Sequence, residues 1–275
     1  MRQWLGILKE AVTIGEPRHD RTGVGTLALF GRSLGFDCRS AFPAVTTKRL
    51  HFSSVAAELA CFIRGYDSLS EFHEMGCNIW DKNAAQFQGQ LGRIYGTQWR
   101  DWRAQAHDPE GGPLPRIVAV DQLQNLLDGL RKDPFGRRHL VTAWNPGELD
   151  AVCLPPCHVL FQCFLSPELG LSMTVYMRSA DLFLGLPFDV ASYALLLALL
   201  AKELGVSRDR LIFFLGDAHV YLNHLDQVKM VLSRKPSEPP LLWLDPGASL
   251  LTFRPSQARL ERYTPQPAVP APMNP

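Results

Sequence analysis

The feature that most constrains this chain is a stretch with no polar face. Residues 190–203 read as a helix that is apolar almost all round, and Gly205 is placed to cap it. Such a helix needs cover on every side. Its apolar run, 190–201, is about 12 residues and includes Ser192 and Tyr193, whereas a bilayer asks for about 20. The reading is a central core helix with protein around it.

A length of 275 residues with 46% hydrophobic side chains supplies that protein. Strand character occurs at 26–37 (broken by Gly31), 139–144, 158–166, 171–179 and 211–215, with a turn at 166–170. Helical spacing occurs at 2–14 (Trp4, Leu5, Leu8, Ala11, Val12) and at 53–64 (Val55, Leu59, Phe62), which Gly65 stops. It occurs again at 120–131 (Leu123, Leu126, Leu127, Leu130), ended by Asp133-Pro134. Residues 101–118 read as a surface loop. Five prolines make 264–275 an irregular, flexible tail that can fold over a site. With no interior boundary, the expectation is one α+β domain spanning 1–275.

Lys+Arg is 28 and Asp+Glu is 27, a net charge of +1. No nucleic-acid polymer is expected as partner, because that needs a basic stripe. A small phosphate held by a few arginines remains open. The six cysteines (38, 61, 77, 153, 157, 163) form no C-x-x-C and read as reduced thiols. The N-terminus lacks a leader pattern, so the expected location is the cytoplasm, or a host's cytoplasm for a viral protein. His219 and His224 are five apart without H-E-x-x-H, so no metal is expected.

Three segments hold polar residues that a fold alone does not require. In Leu154-Pro155-Pro156-Cys157-His158, two prolines present a cysteine just before a strand. It is either a structural thiol or a nucleophile whose pKa nearby cations lower. In 176–189, the Arg178-Ser179 pair suits a phosphate or a solvated strand end. Asp189 directly precedes the core helix there and suits an N-cap. In 216–221, His219 and Tyr221 share one face and can reach a sugar hydroxyl. Glu58 lies about 60° from its helix's apolar stripe, where a carboxyl has a raised pKa and suits proton transfer. Arg137-Arg138 is a further cationic pair, or a helix-end charge interaction.

Together these segments resemble the thymidylate synthase family from about residue 3 to the C-terminus. The resemblance rests on Asp20-Arg21-Thr22-Gly23, Thr46-Thr47-Lys48-Arg49, Glu58, Ile79-Trp80-Asp81 and Tyr95-Gly96-x-Gln98-Trp99-Arg100. It continues through Arg137-Arg138, Pro156-Cys157-His158, Arg178-Ser179-x-Asp181, Gly185-Leu186-Pro187-Phe188 and Gly216-Asp217-x-His219-x-Tyr221. It implies a thymidylate synthase-like mixed sheet packed by helices, in a homodimer joined sheet to sheet. It implies a pyrimidine nucleoside 5′-monophosphate and 5,10-methylenetetrahydrofolate as ligands. Cys157 then attacks C6 of the base, Glu58 organises water and protons, and Tyr95 assists loss of the C5 proton. Arg21, Arg178 and Ser179 hold the phosphate with Arg137 and Arg138 of the second subunit, and the four arginines favour a Cys157 thiolate. His219 and Tyr221 hold the 3′-hydroxyl, and Gln162 joins the substrate side. Trp80, Ile79, Leu154, Asp181 and Gly185 line the folate side.

The departures carry the specificity. Family members have Asn at the position of Asp189, and its amide reads uracil. A carboxylate offers acceptors only, which suits the 4-amino group of cytosine. The same change marks the deoxycytidylate hydroxymethylases of this superfamily. Asn83 replaces a tryptophan, Met177 replaces a glutamine, and the chain ends Pro272-Met273-Asn274-Pro275. Asn83 and the altered terminus bear on whether water or hydride completes the reaction, giving 5-hydroxymethyl- or 5-methyl-dCMP. The alternatives are thymidylate synthase itself, with Asp189 protonated to mimic Asn, and an inactive nucleotide- or RNA-binding relative.

Overall fold

The computed structural model describes residues 1–106, 116–168 and 170–274. Helix α1 (Arg2–Ile14) opens the chain, followed by strands β1 (Glu16–Arg18) and β2 (Thr26–Asp37). Helix α2 (Phe52–Arg64) ends at Gly65, which takes the left-handed conformation, φ 74°, that glycine adopts without strain. Three short helices follow: α3 (Leu69–Glu74), α4 (Asp81–Gln86) and α5 (Tyr95–Arg100). Strands β3 (Trp102–Ala106) and β4 (Arg116–Val120) pair antiparallel. The 101–118 segment is thus not simply a loop. Its flanks form a ladder, and 107–115 lie outside the described residues. Asp121 caps α6 (Gln122–Lys132) by accepting from the Gln124 N–H at 2.9 Å.

The second half builds the main sheet. Strands β5 (Leu140–Thr142), β6 (His158–Ser166) and β7 (Gly170–Asp181) lead into α7 (Gly185–Leu204) and β8 (Arg208–Tyr221). Helix α8 (Leu225–Ser233) and the pair β9 (Leu241–Leu244) and β10 (Ala258–Glu261) complete the chain. The six-stranded order is β1-β2-β8-β7-β6-β5. All neighbours are antiparallel except β7 and β8, the parallel pair that α7 connects.

Helix α7 is longer than its apolar run. It starts at Gly185, spans 20 residues, and is long and apolar enough to cross a membrane by composition alone. Most of it (78%) is nonetheless buried inside the protein, against the sheet, α2 and α6. The helix is thus the core that its composition requires, with Gly205 at φ 68° as its cap.

Two further boundaries move. The expected strand 211–215 runs to Tyr221, because Gly216 to Tyr221 pair with β2 on one side and β7 on the other. The described part of the tail, 264–274, carries no helix or strand, yet it is tied down. Gln266 N–H donates to Thr46 O, Arg234 to Pro267 O, His224 Nε2 pairs with Pro272 O, and Val269 is buried. The outward sheet face stays apolar: Phe30 (80% exposed), Phe164, Phe214 and Tyr176 stand there uncovered.

Candidate active site

The cysteine turn is fixed by an arginine. Arg178, near the end of β7, donates from Nε to Pro156 O (2.8 Å) and from Nη2 to Pro155 O (2.7 Å). Its own N–H donates to Cys157 O at 2.9 Å. Its remaining Nη hydrogens stay available for an anion, and the guanidinium sits 5.3 Å from the Trp144 ring. The Cys157 N–H donates to Tyr95 Oη at 2.8 Å, so the first turn of α5 and the start of β6 meet at the thiol.

The expected thiolate is not provided by this chain alone. Burial raises the Cys157 thiol, Arg178 and Arg21 lower it, and the Asp189 charge raises it; the net direction is up. Arg137 and Arg138 do not offset this from their own subunit. Both lie exposed between α6 and β5, with Arg138 91% exposed.

Behind the thiol stands a buried aromatic and acidic layer. A bulge between His158 and Leu160 lets His158 and Phe161 both point inward, although simple alternation would separate them. The His158 ring stacks on Tyr95 at 3.9 Å and its Nδ1 lies 2.7 Å from Tyr193 Oη. Its Nε2 faces Asp189 Oδ1 at 3.9 Å. Burial holds this imidazole neutral, its pKa lowered to about 3. Glu58 Oε1 accepts from Trp80 Nε1 at 2.9 Å, and burial lifts the Glu58 carboxyl to about 7, against that hydrogen bond.

Asp189 is not an N-cap. Helix α7 begins four residues earlier, so Asp189 lies in its second turn and makes no capping bond. Burial, then the charges of Glu58 and Asp181, push its pKa well above the usual carboxylate range. Its Oδ2 lies on the Gly185 side, where a Cβ would sit in ordinary contact at 3.8 Å. The turn into the helix is held instead by Asp181, whose Oδ1 accepts from the Phe183 and Leu184 N–H groups.

The residues expected at the ribose and phosphate collect on the adjacent strand ends. In the parallel pair, Ser179 lies beside Asp217 and Asp181 beside His219. His219 Nδ1 is 2.9 Å from Asp217 Oδ1, and Arg18 Nη1 holds Asp217 Oδ2 at 2.5 Å. The His219 and Tyr221 rings meet edge on at 5.2 Å, on the shared face that the sequence gives them. Arg21, in the β1–β2 connection, lies close enough for its charge to act on both Cys157 and Tyr221.

The residues expected on the folate side make a partly apolar, partly aromatic set. Ile79 and Leu154 are half-buried, Trp80 is oriented by Glu58, and Asp181 keeps Oδ2 as an acceptor. Gln162, expected on the substrate side, does not point towards the cysteine turn. It alternates with buried Phe161 and Cys163 and lies on the outward face with Phe164. Met177 is a fully buried core residue and Asn83 a half-buried residue of α4.

Single motifs did not reveal Tyr193, Asp217 or Arg18. Asp217 shares the two-residue period of His219 and Tyr221, which is signal enough in a strand. Tyr193 hides inside the apolar helix, four residues after Asp189 and therefore on the same side of it.

The family model for thymidylate synthase matches residues 2–275. Its chemistry is folate-dependent methyl transfer to C5 of a pyrimidine nucleotide, by enzymes that are typically dimers. With the match covering nearly every residue, the chain belongs to the thymidylate synthase family.

Proposed function

We propose that this enzyme transfers a one-carbon unit from 5,10-methylenetetrahydrofolate to C5 of deoxycytidylate, giving 5-hydroxymethyl- or 5-methyl-dCMP. The observation that carries the choice of base is Asp189, a half-buried carboxyl free of capping duty whose surroundings raise its pKa well above the usual carboxylate range and so favour the protonated form. A neutral carboxyl has one donor and one acceptor. Facing cytosine, its O–H donates to N3 and its C=O accepts from the 4-amino group.

That pairing also serves the chemistry. As Cys157 Sγ bonds to C6, the ring's π electrons shift towards N3, which takes the proton from Asp189. C5 becomes electron-rich, and Asp189 is left as a carboxylate that accepts from N3–H and the amino group. Bound folate supplies the electrophilic one-carbon unit, with Trp80, Ile79, Leu154 and Asp181 as the residues that would hold it. Tyr95, hydrogen-bonded at the cysteine turn, assists removal of the C5 proton. Glu58, with a carboxyl near neutrality, exchanges protons through water. Half-buried Asn83 supports water as the group that completes the product.

The outward sheet face suits a second copy of the chain, because so much exposed aromatic surface calls for cover. The exposed Arg137 and Arg138 are then the groups that complete the phosphate site of the other subunit and lower its Cys157.

A second reading has one observation in its favour. The same neutral carboxyl can face uracil, its O–H donating to O4 and its C=O accepting from N3–H, which gives a thymidylate synthase. Tritium release from 5-labelled dCMP and 5-labelled dUMP, each with methylenetetrahydrofolate, separates the two. Release from dCMP is the expected result, with Asp189→Asn moving it to dUMP. Release from dUMP alone in the unaltered enzyme overturns the cytosine reading. The product's mass then tells hydroxymethyl from methyl.

A further inference from the structure

A neutral carboxyl that can present its proton on either oxygen does not discriminate. It pairs with cytosine in one arrangement and with uracil in the other. Discrimination by Asp189 therefore needs something that decides which oxygen is the donor, and the residues behind it supply this.

Tyr193 is buried at 3% exposure, and its hydroxyl has one hydrogen-bond partner among the described residues, His158 Nδ1 at 2.7 Å. Two tautomers of His158 are conceivable. If Nδ1 carried the hydrogen, it would donate to Tyr193 and leave the phenol hydrogen buried without an acceptor, which is costly. If the phenol donates to Nδ1, both members of that pair are satisfied and the imidazole hydrogen sits on Nε2. That hydrogen faces Asp189 Oδ1, 3.9 Å away, close enough to form a bond with a small adjustment or to polarise that oxygen. The stack of His158 on Tyr95 and its edge contacts with Tyr193 prevent the ring from turning over. Oδ1 is then the acceptor, and the carboxyl proton belongs on Oδ2, the oxygen on the Gly185 side. Glu58 and Asp181 act on Asp189 through their charge, and no hydrogen bond joins either of them to it among the described residues.

We infer that Tyr193, acting through the His158 tautomer, fixes the proton of Asp189 on one oxygen and so converts an indifferent carboxyl into a base-selecting one. Tyr193 is thus a positioning residue, and His158 passes its orientation on. The inference rests on Asp189 reading the base, as proposed above. It holds whichever base the fixed proton selects.

The experiment is a pair of substitutions in two backgrounds. With Asp189 present, Tyr193→Phe removes the hydroxyl that, among the described residues, hydrogen-bonds the His158 ring. The ratio of kcat/KM for dCMP over dUMP should move towards one by about tenfold or more, the worth of one buried hydrogen bond. In the Asp189→Asn background the amide's donor and acceptor are fixed covalently, so Tyr193→Phe should leave the base ratio within about twofold. A purely structural Tyr193 would lower activity in both backgrounds without moving either ratio, and that result overturns the inference. A base ratio that moves equally in both backgrounds overturns it as well. If Tyr193→Phe does not fold, His158→Gln in the same two backgrounds gives the same comparison. The unaltered enzyme's own preference reports separately on the cytosine reading: a dUMP preference that Tyr193→Phe erases would overturn that reading and leave this one standing.

Discussion

The two ends of the site are built differently. The base end is complete within one chain: Arg178 pins the cysteine turn, Tyr95 receives the Cys157 N–H, and Trp80 orients Glu58. The phosphate end is not. Arg137 and Arg138 point into solvent, and the charges that the chain brings to the thiol do not overcome its burial. The difference teaches that the groups of the base end are positioned by folding, whereas in the reading proposed above their activation waits for the substrate and for a second subunit's arginines. Preorganised groups lose rate when removed; borrowed groups lose binding and can be returned by another chain.

Cys157→Ser tests the first half most severely. Product formation and C5 tritium exchange should fall by about four orders of magnitude or more, since the covalent route disappears. Equilibrium binding of the nucleotide should change by less than about threefold, because the turn is held by Arg178 and not by the thiol. A comparable loss of binding would show that the base end is not preorganised.

Glu58→Gln comes next, with an expected loss of about a hundredfold in kcat. The unaltered enzyme should show a limb near pH 7 in its kcat profile that the variant lacks, since the carboxyl titrates at about 7. Stability gives a check independent of turnover. The folded pKa is raised above the unfolded value of 4.5, so the folded state holds the proton more tightly. Stability is therefore full below the unfolded pKa and declines as pH rises through about 7. Thermal melts of the unaltered protein should fall over that window relative to Glu58→Gln; parallel melting curves would place the carboxyl in ordinary solvent.

Arg138→Ala addresses the borrowed half. KM for the nucleotide should rise by about tenfold or more, with a smaller loss in kcat. Mixing this variant with Cys157→Ser after unfolding and refolding together should return roughly a quarter of normal activity. Half of randomly formed dimers are hybrids, and each hybrid has one site with both residues intact. No recovery would mean that Arg138 serves its own subunit or none.

How much of this was legible in the sequence follows the same division. The core helix, its glycine cap and the helices of 2–14, 53–64 and 120–131 were readable because their patterns are local. Cys157, Glu58, His219 and Tyr221 were readable as chemistry because turns, faces and spacing expose them. The 101–118 ladder was hidden by its proline and glycine content, and the full length of β8 by Gly216, which reads as a break. The N-cap option for Asp189 failed because Gly185 and Pro187 look like loop residues, although a first helical turn accepts both. Tyr193 was invisible for a different reason. A tyrosine inside an apolar helix reads as packing until its hydroxyl's partner, 35 residues away in sequence, is known.

The smallest effect lies between the two halves, at the ribose. Asp217 is held from both sides, by His219 Nδ1 and by Arg18, and its pKa is lowered first by the His219 hydrogen bond. That bond places the hydrogen of His219 on Nδ1 and leaves Nε2 as an acceptor for a sugar hydroxyl. Arg18 only steadies the carboxylate, and it is more than half exposed, so its ion pair is screened and weak. Arg18→Ala should therefore raise nucleotide KM by about twofold to threefold and leave kcat unchanged. Asp217→Asn should do more, because an amide can turn its N–H towards Nδ1 and reverse the tautomer. Equal effects from the two would mean that Arg18 contacts the nucleotide itself, and the ribose end would then belong with the base end, complete within a single chain.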